Sequence, residues 1–316
     1  MSPWARQSLL TTFGIDAIGS VGRLVTGIVT TSGFTALDFA ARNQLTAIAG
    51  TLEVRGLTAL GAVLDHAPQL LLETDSAGAT LLSTLHSIAT TPFHASLSNE
   101  MGIERTISSL LDDLLRPNRV DEAHVWGTTL ASVQFELLTE RPAEYARLVD
   151  GLRGQSGLVH MVGGGTLRLP PWSPEAWAST PSVSRATFQS ALAEYLFGSD
   201  RGAEGRMTQA LTGEQQHAAL SQLLGLSFET EHFGSERDAS SSFEQLVGWD
   251  APSILNRPVI VDLERGPLRD TVTLERVTAQ RVEFRDSTGT RRSVARETMP
   301  SWTSVIHLPS GLQRVP

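Results

Sequence analysis

The chain has 316 residues and a mass of 34.1 kDa, and its 41% hydrophobic content is enough for two buried cores or one large one. A net charge of −9, a pI near 5.4 and the lack of any basic run exclude the electrostatic footprint of a nucleic-acid binder. The absence of cysteine excludes disulfides, thiolate metal sites and a cysteine nucleophile, and because all 25 basic residues are arginine, side-chain Schiff-base chemistry is excluded too.

Met1 to Gln7 carries no charged region followed by an apolar run, so the expected location is the cytoplasm, or outside the cell by a route independent of a signal peptide. Residues 1–115 are predicted to be helical. Apolar side chains recur at helical spacing at Ile18, Val21, Leu24, Val25 and Ile28, at Leu37, Ala41, Leu45 and Ile48, at Leu57, Leu60 and Leu64, and at Leu81, Leu85 and Ile88. Ile103, Ile107, Leu110, Leu111 and Leu114 form the clearest stripe, with Asp112 and Asp113 expected on its polar face and end. Gly14 to Gly33 is small and weakly polar. Its single cation, Arg23, favours core packing over a membrane-interfacial helix, so no membrane partner is expected.

Pro117 closes this region, and the chain changes character after it. Gly127, Thr128 and Thr129 open a predicted buried helix, Arg141 and Pro142 turn it, and a second helix is predicted to stop at Gly151. A hairpin is expected from Val159–Val162 and Thr166–Leu169 around Gly163, Gly164 and Gly165. The next predicted helix starts near Ser184, with Phe188, Leu192, Tyr195 and Leu196 on one face. Thr212 with Gln215 is a capping box for a helix ending at Gly225, and Ser241 with Glu244 suggests another. Strands are predicted at Val259–Glu264, Thr271–Val277, Arg281–Arg285 and Ser304–Leu308.

Three blocks carry a resemblance. Asn118-Arg119-Val120 with Gly127-Thr128-Thr129, the Arg185 to Tyr195 helix containing Phe188-Gln189-Ser190-Ala191-Leu192, and Gly266-Pro267-Leu268-Arg269-Asp270 resemble bacterial papain-like cysteine peptidase domains. The resemblance implies an α+β fold, with an α-helical domain at 1–115 and a papain-like domain at 116–316. It places Thr129 at the nucleophile position, Asp270 at the base position, Asp286 at the orienting position and Glu122 near the oxyanion donor. A hydroxyl is far harder to ionise than a thiol, a carboxylate at Glu122 repels the developing oxyanion, and no imidazole stands at 270. The implied function is therefore an inactive peptidase homologue that binds a protein or extended peptide. The alternatives are an altered hydrolase or transferase using Thr129 or Ser132 with Asp270 or His124, or an exported toxin with membrane-contacting helices. No cofactor is implied, and the eight histidines show no metal-binding spacing.

Overall fold

The computed structural model describes residues 15–92, 99–117, 130–170, 182–198, 211–247, 258–265, 268–286 and 290–310. It mixes helices with antiparallel sheet, as the α+β expectation requires. Two compact units are present: the first takes Met1–Arg119, Arg141–Val159 and Leu167–Ala191, the second Val120–Glu140, His160–Thr166 and Leu192–Pro316.

The helices of the N-terminal region are α1 (Ile15–Thr30), α2 (Ser32–Ala36), α3 (Phe39–Ala49), α4 (Val54–His66), α5 (Leu81–Thr90) and α6 (Asn99–Leu115). Most of the predicted stripe residues form its core: Leu45, Ile48, Leu57, Leu60, Leu64, Leu81, Leu85, Ile88, Ile107, Leu110 and Leu111 are fully buried, Leu24, Val25, Ala41 and Ile103 are half-buried, and the side chains of Ile18 and Val21 lie outside the described residues. Thr31, Asp38 and Thr80 cap α2, α3 and α5 with side-chain oxygens. Gly33 lets α2 approach α4 closely, since a Cβ there would lie 2.2 Å from the Leu64 carbonyl oxygen.

Two expectations need correction here. The helix α8 (Pro142–Arg153) does not stop at Gly151; it runs on to Arg153 and is capped by Gly154. Gly151 serves packing instead, because a Cβ would fall 2.6 Å from Val159. Nor does Asp113 lie on a polar face. It is fully buried, accepting hydrogen bonds from the Ser184 hydroxyl (2.6 Å), the Tyr145 hydroxyl (2.9 Å) and Arg185 Nε (2.5 Å). Ser184 and Arg185 open α9 (Val183–Phe197), whose first ten residues are all buried rather than apolar on one face only. A carboxylate in a dry core needs such partners, and sequence periodicity does not reveal whether they exist.

The second unit holds α7 (Ala131–Glu140), α10 (Gly213–Leu224), α11 (Glu236–Gln245) and a six-stranded antiparallel sheet. Its strands are β3 (Phe228–His232), β4 (Val259–Arg265), β5 (Leu268–Val277), β6 (Arg281–Arg285), β7 (Arg291–Ala295) and β8 (Thr303–Pro309), in the order β3-β8-β4-β5-β6-β7. Sequence analysis missed β3 and β7, the two edges, which carry too few apolar residues to alternate clearly. The expected hairpin forms as β1 (Leu158–His160) and β2 (Thr166–Arg168). Gly164 supplies the positive φ of 92°, and the Gly163 and Gly165 N–H groups donate to the backbone and side-chain oxygens of Gln222, each at 2.8 Å.

The Thr212–Gln215 capping box and the left-handed Gly225 both appear on α10. The second cap is a correction: α11 starts at Glu236, with Ser235 accepting from the Asp238 N–H, so Ser241 lies inside the helix.

Strand alternation gives the sheet two different faces. Val259, Val261, Leu263, Val272, Leu274, Val282, Phe284, Ile306 and Leu308 face α11, packing with Phe243 and Leu246. The opposite face carries Ile260, Asp262, Thr271, Thr273, Arg285 and His307, and meets α7 and α10.

Removing one partner of the buried network should cost far more than removing a surface pair. Asp113→Ala is expected to lose about 3–5 kcal/mol of unfolding free energy in urea titration, because it removes the buried acceptor that Ser184, Tyr145 and Arg185 share. Arg55→Ala, which removes the exposed pair to Asp112, should lose less than about 1 kcal/mol.

Candidate functional site

The residues assigned by resemblance are only partly among those described. Thr129, Glu122 and His124 lie outside the described residues. Ser132 sits on α7, 2% exposed. Asp270 is on β5, where it is paired with Leu263 and so shares the α11 side of the sheet, and its Oδ1 accepts the Thr271 N–H at 2.9 Å. Asp286 follows β6 and is 3% exposed.

Both Asp286 oxygens are engaged. Oδ1 accepts the Thr290 N–H at 2.9 Å, and Oδ2 accepts Arg292 Nε at 2.5 Å. Arg292 pairs with Phe284 across β6 and β7, which places it on the same side as Asp270 and Asp286. Its affinity for its proton is raised by the Asp286 hydrogen bond and charge, and further by Asp270. The structure thus ties Asp286 directly to the Arg292 guanidinium, to which the charge of Asp270 makes a smaller contribution. It sets α7 on the other face of the sheet, where the Arg285 guanidinium lies 3.7 Å from the centre of the Phe135 ring.

Beside that contact, burial of Glu136 pushes its carboxyl up to about 8; Glu140 adds to the rise, Arg285 opposes it and Glu275 reinforces it. Glu136 is therefore a neutral acid at pH 7.

A second constellation escaped sequence analysis. Asp262 on β4, His307 on β8 and His217 on α10 converge with Thr230, Thr271 and the first amide of α10. Asp262 Oδ1 accepts the Gly213 N–H at 2.9 Å and the Thr271 hydroxyl at 2.6 Å, while Oδ2 stands 3.5 Å from His307 Nε2. His307, fully buried, has its Nδ1 at 3.0 Å from His217 Nδ1 and 2.9 Å from Thr230 Oγ1. The His217 ring stacks on Phe228, with centroids 5.7 Å apart.

Burial opposes ionisation of Asp262, yet contacts from His307, Thr271 and the Gly213 N–H outweigh it and hold the carboxyl below its ordinary value. His217 is pushed down by burial and by the neighbouring His307, against Glu214 and Asp262. Two imidazole nitrogens 3.0 Å apart need a single proton between them, one nitrogen donating and the other accepting. The signals in the sequence were one aspartate inside the apolar Val259–Leu263 run and one histidine inside Val305–Leu308. Neither has a helical or strand-period signature that would announce it.

Among the described residues, no group of three or more His, Asp or Glu is placed to hold a metal ion, and no helix is long and apolar enough to cross a membrane. No family model, curated protein or solved structure matches the chain.

Two measurements probe this side of the sheet. Since Glu136 holds its proton more tightly folded than unfolded, the stability it contributes is complete below pH 4.5 and is lost as pH rises toward 8. The stability advantage of Glu136→Gln over the natural chain should therefore widen by more than about 1 kcal/mol between pH 5 and pH 8.5 in urea titrations. Gly213→Ala, usually favourable in a helix, should instead destabilise by roughly 1–3 kcal/mol. Its Cβ would lie 2.5 Å from both Asp262 Oδ2 and His307 Nε2, and thermal melting would record the loss.

Proposed function

We propose that this chain is a catalytically inactive homologue of papain-like peptidases, retained as a module that binds a protein or an extended peptide segment. The three sequence blocks supply the family reading, and the mixed helix-and-sheet fold is of the α+β class that it implies; α7 itself lies on the face of the sheet opposite Asp270 and Asp286.

The observation that carries the inactive reading is the state of Asp286. An orienting group must offer a free acceptor to an imidazole, and a general base needs a proton affinity matched to neutral pH. Asp286 gives one oxygen to the Thr290 amide and the other to Arg292, and Asp270 lies in the field of the same guanidinium. A carboxylate held by arginine is a weak base. With a threonine at the nucleophile position, the set lacks a thiolate, an imidazole and an available orienter. For a binding role, the sheet offers edges: it ends at β3 and β7, and strand addition at an edge is a common way to hold an extended segment.

The test is direct. The natural chain and Thr129→Ala, incubated with a library of unstructured peptides, should both leave it intact by mass spectrometry, and a display library panned on the natural chain should return an enriched segment. Cleavage by the natural chain that disappears in Thr129→Ala would overturn the inactive reading. Panning that enriches nothing would overturn the binding role.

A further inference from the structure

We infer that the Asp262–His307–His217 cluster is an acid-sensitive latch that holds α10 against the sheet near neutral pH and releases it in mild acid. The inference rests on how α10 is attached, and is independent of the peptidase resemblance.

The N-terminal half of α10 reaches the sheet through three polar links: the Gly213 N–H to Asp262, the Gln216 amide to Thr273 Oγ1 at 2.8 Å, and the His217 ring to His307. Two of the three depend on protonation. Near neutral pH, one proton between the two Nδ1 atoms satisfies both rings, and the Asp262 carboxylate faces His307 Nε2. The charges acting on His217 are Glu214 on its own helix, Asp262 on β4 and His307 on β8. From β3 the ring meets Phe228, and Thr230 turns its hydroxyl to His307. On α7, which also packs on α10, Glu136 acts with Glu140 and Glu275, around Arg285.

Two added protons, one to each ring, turn the shared contact into two imidazolium ions with nitrogens 3.0 Å apart, both donors and neither an acceptor. His307 is fully buried, so water cannot enter to screen the repulsion while the helix stays in place. Movement of α10 is the available relief.

The sign follows from proton binding. A histidine held down in the folded state contributes stability that is complete above its unfolded value of 6.5 and is lost as pH falls below it. Asp262, also held down, contributes in the same direction: its stability is complete above 3.8 and is lost at still lower pH. The histidine opens the latch first.

The release should propagate to the glycine turn between β1 and β2, which hangs on Gln222 of the same helix through two hydrogen bonds. Acid would thus alter a surface feature remote in sequence from either histidine.

Hydrogen exchange with mass spectrometry on the full chain tests this without any variant. After correction for intrinsic rates, amides of Gln216 to Leu224 should exchange at least about tenfold faster at pH 5.5 than at pH 7.5, the amides of β4 and β5 changing less than about twofold. His217→Phe, which keeps the stack on Phe228 and removes the second imidazole, should abolish the acid response. Nitrogen-15 spectra of the histidine rings should show His217 titrating below 6.5. Equal protection of α10 at the two pH values, an unchanged acid response in a folded His217→Phe, or titration of His217 above 6.5 would each overturn the latch.

Discussion

A carboxylate taken out of water must be met by donors, and this requirement shapes both units of the chain. In the first, Asp113 is fully buried and is met by Ser184, Arg185 and Tyr145, which ties α6 to α8 and α9. In the second, Asp262 is met by the α10 amide terminus, Thr271 and His307. Asp286 repeats the pattern with Thr290 and Arg292. The apolar stripes gather the elements, but these polar contacts choose which helix end lies over which strand, because a misplaced end leaves a charge unpaired at a cost of several kcal/mol.

The two faces of the sheet illustrate the division. The side toward α11 carries a cluster of buried apolar residues, accompanied by Asp270, Asp286 and Arg292. The side toward α7 and α10 is threaded with Asp262, Thr271, Thr273, Arg285 and His307, and each of these meets a specific partner. On the second side burial raises the proton affinity of Glu136, and His217 faces the buried His307.

The resemblance to papain-like peptidases and the observed carboxylates bear on function differently. Residue blocks suggest a family, whereas activity depends on a few atoms in register. Asp286 gives its two oxygens to the Thr290 N–H and to Arg292 and so links β6 to β7, while Asp270 accepts the Thr271 N–H.

The sequence by itself determined the helices of the N-terminal region, four of the six strands of the large sheet, the α10 capping box and the glycine hairpin, because periodicity, caps and turn residues act within about a dozen positions. It also determined which chemistry is impossible, through the absence of cysteine and lysine. Only the tertiary structure decided that Asp113 faces inward, that α8 passes through Gly151, that Asp286 answers to Arg292, and that His217 meets His307 across 90 positions of chain. The physical reason is common to all four. Each depends on a partner brought close by folding, and the cost of burying a polar group is set by that partner rather than by the residue's own neighbours in sequence.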